Sequence, residues 1–156
     1  MVTVRIDLRK AKAAKAGQKM IAQHLFDKGK SFIAAAVLLD QKKGSNDVVL
    51  HLICQGLEII QKALLLAKDY GRFEPMLKKW RHDLVLAADQ LQSAYGFNPI
   101  DESDRADLEE INVYYCQHLL RYSEIRNFIG GTQHLSGEKA LRRAVSLLEI
   151  GDKCLM

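Results

Sequence analysis

From Asp47 to about Tyr70 the chain carries an apolar stripe at helical spacing, Val49, Leu52, Ile53, Gly56, Ile60, Ala63, Leu64 and Ala67. Val48, Leu50, Ile59 and Leu66 add apolar side chains on its other faces. A helix apolar nearly all round is stable only when other elements surround it, so this segment demands a central helix in a layered helical core. Helices on either side follow from the same periodicity. Ile21, Leu25, Phe32, Ala35 and Leu39 mark a helix over about Gln18 to Gln41, and Leu84, Ala88, Leu91 and Tyr95 mark another over His82 to Tyr95. Leu108, Ile111, Tyr115, Leu119 and Tyr122 form the stripe of a fourth from about Asp101 to Arg126, and Leu141, Ala144, Val145 and Leu148 that of a fifth, from Ser136 to Gly151.

The stretches between these helices carry stop and start signals. Lys42, Lys43 and Gly44 end the first helix, with Gly44 as the residue tolerant of left-handed geometry and Asn46 or Asp47 as the next cap. Arg72 to Trp80 reads as an irregular connection in which Pro75 opens a short helical turn. The acidic run Asp101, Glu102, Ser103 and Asp104 suits a helix N-terminus, and Gly130 with Gly131 breaks the fourth helix. Short connections favour antiparallel neighbours. The fold class is therefore all-α, an up-and-down bundle of four to five helices. Residues 1–17 form a basic N-terminal segment, 18–151 a single bundle and 152–156 a tail.

At 156 residues the chain is long enough for one continuous core. Its charge of +4 is concentrated at one end, where Arg5, Arg9, Lys10, Lys12, Lys15 and Lys19 are opposed only by Asp7. The body is close to neutral, which argues against a general polyanion binder. Cys54, Cys116 and Cys154 are odd in number and widely spaced, so they suggest neither a disulfide scaffold nor a zinc knuckle, and two are expected as core thiols. No secretory signal or run of about 20 apolar residues is seen, and the cytoplasm is the expected compartment, with no membrane partner.

No HExxH, GxGxxG, Walker or GxSxG motif occurs. His24, His51, His82, His118 and His134 lack a second His or Cys at ligand spacing on the same helix, so no metal and no cofactor is expected. Three segments, in order, carry a resemblance. Gln55-Gly56-Leu57-Glu58, continuing to Lys62-Ala63-Leu64-Leu65, is followed by Arg81-His82-Asp83-Leu84 and then by Tyr114-Tyr115 with Leu120-Arg121-Tyr122.

Together these resemble the HEPN family, in the subgroup associated with minimal nucleotidyltransferases. Gln55, Glu58, Lys62, His82, Asp83 and Tyr122 match family-motif positions. Each also has a plain structural reading. Glu58 and Lys62 fit a helix-surface ion pair, Asp83 a helix cap, and Tyr115 and Tyr122 packing residues with satisfied hydroxyls.

Arg121 and Arg126 lie off the apolar stripe and suit bidentate phosphate recognition. With Tyr114 and His118 at helical spacing from Arg121, one face would offer a ring, an imidazole and a guanidinium to a nucleotide or RNA, although a plain charged surface face reads equally well. The family nuclease motif is an arginine, usually a polar residue, and a histidine after four to six residues. Arg126-Asn127 begins it, but His134 follows after seven residues that include the glycine pair, so the catalytic geometry is not met.

The resemblance thus implies a non-catalytic nucleotide- or RNA-binding module and a homodimer. A nucleotidyltransferase chain would be its partner, as in two-gene toxin and antitoxin systems. The alternatives are a metal-independent endoribonuclease using Arg126, Asn127 and His134, and a protein-binding helical dimerisation module.

Overall fold

The computed structural model describes residues 14–97, 101–121 and 132–155. Over these residues the protein is all-α, with six α-helices, one 3-10 turn and no strand. The helices are α1 (Lys15–Gln41), α2 (Asn46–Lys68), α3 (Tyr70–Trp80), α4 (Leu84–Tyr95), α5 (Glu102–Cys116) and α6 (Glu138–Leu155), with the 3-10 turn at Thr132–His134.

Helix α2 is the hub, packing on every other helix and on the 3-10 turn, and most extensively on α1. Leu50, Cys54, Leu57, Ile60, Leu64 and Leu65 on α2 are fully buried. Each large apolar side chain so enclosed contributes roughly 1.5–3 kcal/mol. By length and composition α2 alone among the described helices could cross a membrane, yet 72% of its most apolar window is buried inside the protein. Its hydrophobicity is spent on the core. Helices α1 and α2 run antiparallel, with Gly29 against Ile60 and Ile33 against Gly56.

Several helix ends differ from the sequence reading. Residues 70–80 form a helix rather than an irregular connection, even though Pro75 lies inside it. Asp69 caps α3 by accepting from the Arg72 N–H at 3.0 Å. Phe73, Met76, Leu77 and Trp80 turn a continuous apolar face to the core, and burial of that face outweighs the hydrogen bond that proline removes. At the end of α1 the left-handed residue is Lys43, not Gly44. Gly44 is needed for space, because a Cβ there would overlap the Leu39 side chain. Neither Asn46 nor Asp47 caps α2. Asn46 donates to the Thr132 carbonyl, and Asp47 accepts from the Thr132 hydroxyl, so both tie α2 to the 3-10 turn.

Gly151 does not end the last helix, which runs on to a buried Leu155. It is the point where α6 crosses α1, and a Cβ there would overlap the Phe26 ring. Of the cysteines only Cys54 is a core thiol, while Cys116 is half-buried and Cys154 exposed. The expected caps at Asp83 and Asp101 are present, accepting from the Leu86 and Asp104 N–H groups, whereas Ser136, expected to cap α6, lies one residue before the capping position at Gly137 and accepts from the Glu138 N–H at 3.3 Å in a turn.

The largest correction concerns the helix expected to reach Arg126. Helix α5 stops at Cys116 in a Schellman motif: the Leu119 N–H donates to the Tyr114 carbonyl at 2.9 Å, and the His118 N–H to Tyr115 at 3.1 Å. His118 occupies the left-handed position, with φ +58°.

Candidate functional site

Four polar residues interrupt the apolar surface of α2 at spacings of four, three and four: His51, Gln55, Glu58 and Lys62. That spacing puts them on one helical stripe. Gln55 is half-buried, and Glu58, at 4% exposure, is the buried anion of the site. An isolated buried carboxylate is costly, so its partners decide whether it stays ionised. Glu58 has three. Lys62 and the Tyr115 hydroxyl donate to it, and His82 Nδ1 lies 3.0 Å from Oε2. Burial alone would raise the Glu58 carboxyl. The hydrogen bonds from Lys62 and Tyr115, the Lys62 charge and the His82 contact outweigh burial and hold it below the usual range. The i,i+4 pair expected on a helix surface is present, but its carboxylate is buried and its lysine half-buried.

Each partner comes from a different element and is held in its own right. Lys62 also donates to the Arg81 carbonyl at 2.5 Å. Tyr115 projects from the buried stripe of α5, and burial together with Glu58 pushes its phenol well up, so it remains a donor. Asp83 accepts from Asn112 at 3.2 Å, Asn112 accepts from the Leu84 N–H at 2.9 Å, and Cys116 donates to the His82 carbonyl at 3.2 Å. These bonds fix the turn that carries His82 against α5. Because an ionised Glu58 can only accept, His82 Nδ1 carries the hydrogen and Nε2 is left for other contacts.

Three histidines gather around this network. The His82 ring packs edge-on against His118 at 5.1 Å and against Tyr115 at 5.7 Å, and His51 lies 5.8 Å from Tyr115. Burial, followed by the charges of Arg121 and His118, pulls the His51 imidazole below its ordinary value. His51 Nδ1 is buried and has no hydrogen-bond partner among the described residues. Exposed Arg121 joins Val48, His51 and Leu120 around a shallow depression. A guanidinium, imidazoles and an apolar wall therefore meet at the outer edge of a buried carboxylate network, an arrangement that can receive a phosphate and a flat ring.

The predicted residues fall into separate groups. His118 and Arg121 belong to the cluster, together with Glu58, Lys62 and His82, while Asp83 serves as a cap. Tyr114 does not share a helical face with Arg121, since α5 ends between them. Its ring instead meets His134 at 6.1 Å, and His134 also pairs with Glu110 at 3.5 Å. Arg126, Asn127 and Tyr122 lie outside the described residues. Sequence reasoning missed His51, Asn112 and Cys116. The polar stripe through Glu58 was a legible signal for the first of these; nothing local marked the other two. Among the described residues no group of three His, Cys, Asp or Glu side chains is placed to hold a metal. Compared with protein-family models, curated proteins and solved structures, the chain matches none.

Proposed function

We propose that this chain is a non-catalytic, HEPN-like helical module that binds a nucleotide or RNA at the edge formed by His51, His118 and Arg121. The observation that carries this reading is the convergence of those three side chains, from two separate segments, over the buried Glu58 network. Arg121 would take the phosphate, and the imidazoles would face the base or ribose. The three-segment resemblance supports the HEPN-like assignment, a homodimer and a nucleotidyltransferase partner in a toxin and antitoxin pair. The spacing from Arg126 to His134 favours binding without cleavage.

Titration with fluorescent ATP and a short RNA at two salt concentrations tests the proposal, with a gel for cleavage alongside. Saturable, salt-sensitive binding that Arg121→Ala weakens, without cleavage, is the expected result. Cleavage would replace this reading with the endoribonuclease one.

A second reading, a protein-binding dimerisation module, is favoured by an apolar depression at Phe32, Ala35 and Leu52 on α1 and α2. Leu38 and Val48 are also exposed on those helices. It predicts a tight protein partner and no nucleotide affinity.

A further inference from the structure

A third depression, of about 550 Å³, lies between α5 and α6, within the range of roughly 300–1,000 Å³ usual for small-molecule sites. Its floor is apolar, with Leu108 and Leu147 buried and Phe97 and Ile150 partly so. The Phe97 ring is held by stacking on Tyr95, with centroids 5.1 Å apart and planes 10° from parallel. Lys139, Arg142 and Arg143 from α6 line the bowl, opposed by Asp101 and Asp104 at the start of α5.

Arg143 is the unusual member. Its Nε is sealed from solvent and finds no acceptor among the described residues. Burial works against its charge, with Asp89 and Asp104 the carboxylates that favour it. Both are committed elsewhere. Asp89 takes two hydrogen bonds from Arg105, at 2.7 and 3.1 Å, and Asp104 pairs with Lys139 at 3.5 Å. Lys139 also pairs with Asp107 at 2.9 Å, and Asp101 is occupied as the α5 cap. A partly buried guanidinium with one sealed, unpaired N–H, whose neighbouring carboxylates are already bonded, is short of an anion. A water could meet one N–H, but it would leave the apolar floor unused.

We propose that this bowl binds a small amphipathic anion, a phosphate or carboxylate carried on a flat apolar body, with Arg143 as the anchor. The apolar body lies on Phe97, Leu147 and Ile150, and the anionic end meets Arg143 with Arg142 beside it. The site goes beyond the nucleotide reading and is separate from it. The bowl is at the N-terminal end of α5 and Arg121 follows its C-terminal end, 15 residues or about 22 Å of helix away.

The test is NMR titration of the intact chain with phenyl phosphate and, separately, with benzoate, which distinguishes the two anion types. At least one should bind saturably, with shifts in α5 and α6. Arg143→Met should weaken it at least tenfold. Ser146→Glu, an exposed rim position, should weaken it severalfold by repulsion, and Arg121→Ala should leave it unchanged. Circular dichroism melting identifies any variant that fails to fold; if Arg143→Met does so, Ser146→Glu decides. Absence of binding by both probes overturns the proposal. So does wild-type affinity in a folded Arg143→Met or Ser146→Glu chain, or a loss in Arg121→Ala.

Discussion

The Tyr115 hydroxyl donates to the Glu58 carboxylate across 57 residues of sequence, joining α5 to the buried centre of α2. Removing Glu58 takes the acceptor from a buried hydroxyl, and removing the hydroxyl takes one of three partners from a buried carboxylate. Tyr115→Phe should cost about 1.5–3 kcal/mol, the range for a hydrogen bond to a charged group. Glu58→Ala should cost about 3–5 kcal/mol, because Lys62 is left as an uncompensated, largely buried cation. Urea denaturation of the two variants checks both values; near-wild-type stability of Glu58→Ala would contradict the network.

His118 sits at the left-handed position of a Schellman motif, where a non-glycine residue costs roughly 1–2 kcal/mol. Its imidazole meets His82 at the candidate site, the kind of place where backbone strain is retained for function. His118→Gly should therefore raise stability by about 1 kcal/mol while lowering ligand affinity. Paired melting and binding measurements check the trade; a variant less stable than the wild type would refute it.

Acid should destabilise the protein in two stages. His51, Glu58 and Asp89 all titrate lower in the folded chain than their ordinary values of 6.5, 4.5 and 3.8. When a folded pKa is depressed, the unfolded chain takes up the proton first. Stability is then complete above the unfolded value and declines as pH falls through the folded one. The His51 stage begins near its ordinary 6.5, and the carboxylate stage follows below about 4.5. Melting temperature against pH should show both, and His51→Gln should abolish the upper stage alone.

Gly151→Ala tests whether space or propensity governs the α1–α6 crossing. Alanine gains about 1 kcal/mol in a helix interior, but its Cβ would overlap the fully buried Phe26 ring. Overpacking of this kind costs typically 1–3 kcal/mol, so the net effect should be destabilising. A raised melting temperature would show that α6 can shift away from Phe26 at little cost.

Helix positions were legible where apolar periodicity ran uninterrupted, as in α1, α2 and α4. Helix α3 is harder to read from the sequence, although Phe73, Leu77 and Trp80 recur at spacings of four and three. Gly71 and Pro75 are local helix breakers, whereas tertiary burial of the apolar face dominates the fold. The end of α5 was illegible for a different reason. No glycine or proline marks residues 116–119, and the left-handed turn falls on a histidine. This misplaced Tyr114 relative to Arg121. The sequence marks Glu58, Lys62 and His82 only as separate residues, and their meeting at one point depends on how α2, α5 and the turn before α4 pack. Spacing along one chain does not encode that.

The most direct test of the nucleotide-binding reading is to follow backbone and imidazole NMR signals of the intact protein during titration with ATP and with a short RNA. The account predicts saturable shifts centred on His51, His118 and Arg121, lost in Arg121→Ala without a change in the Glu58 network. Binding that leaves those three residues unmoved, or no binding by either ligand, would contradict it.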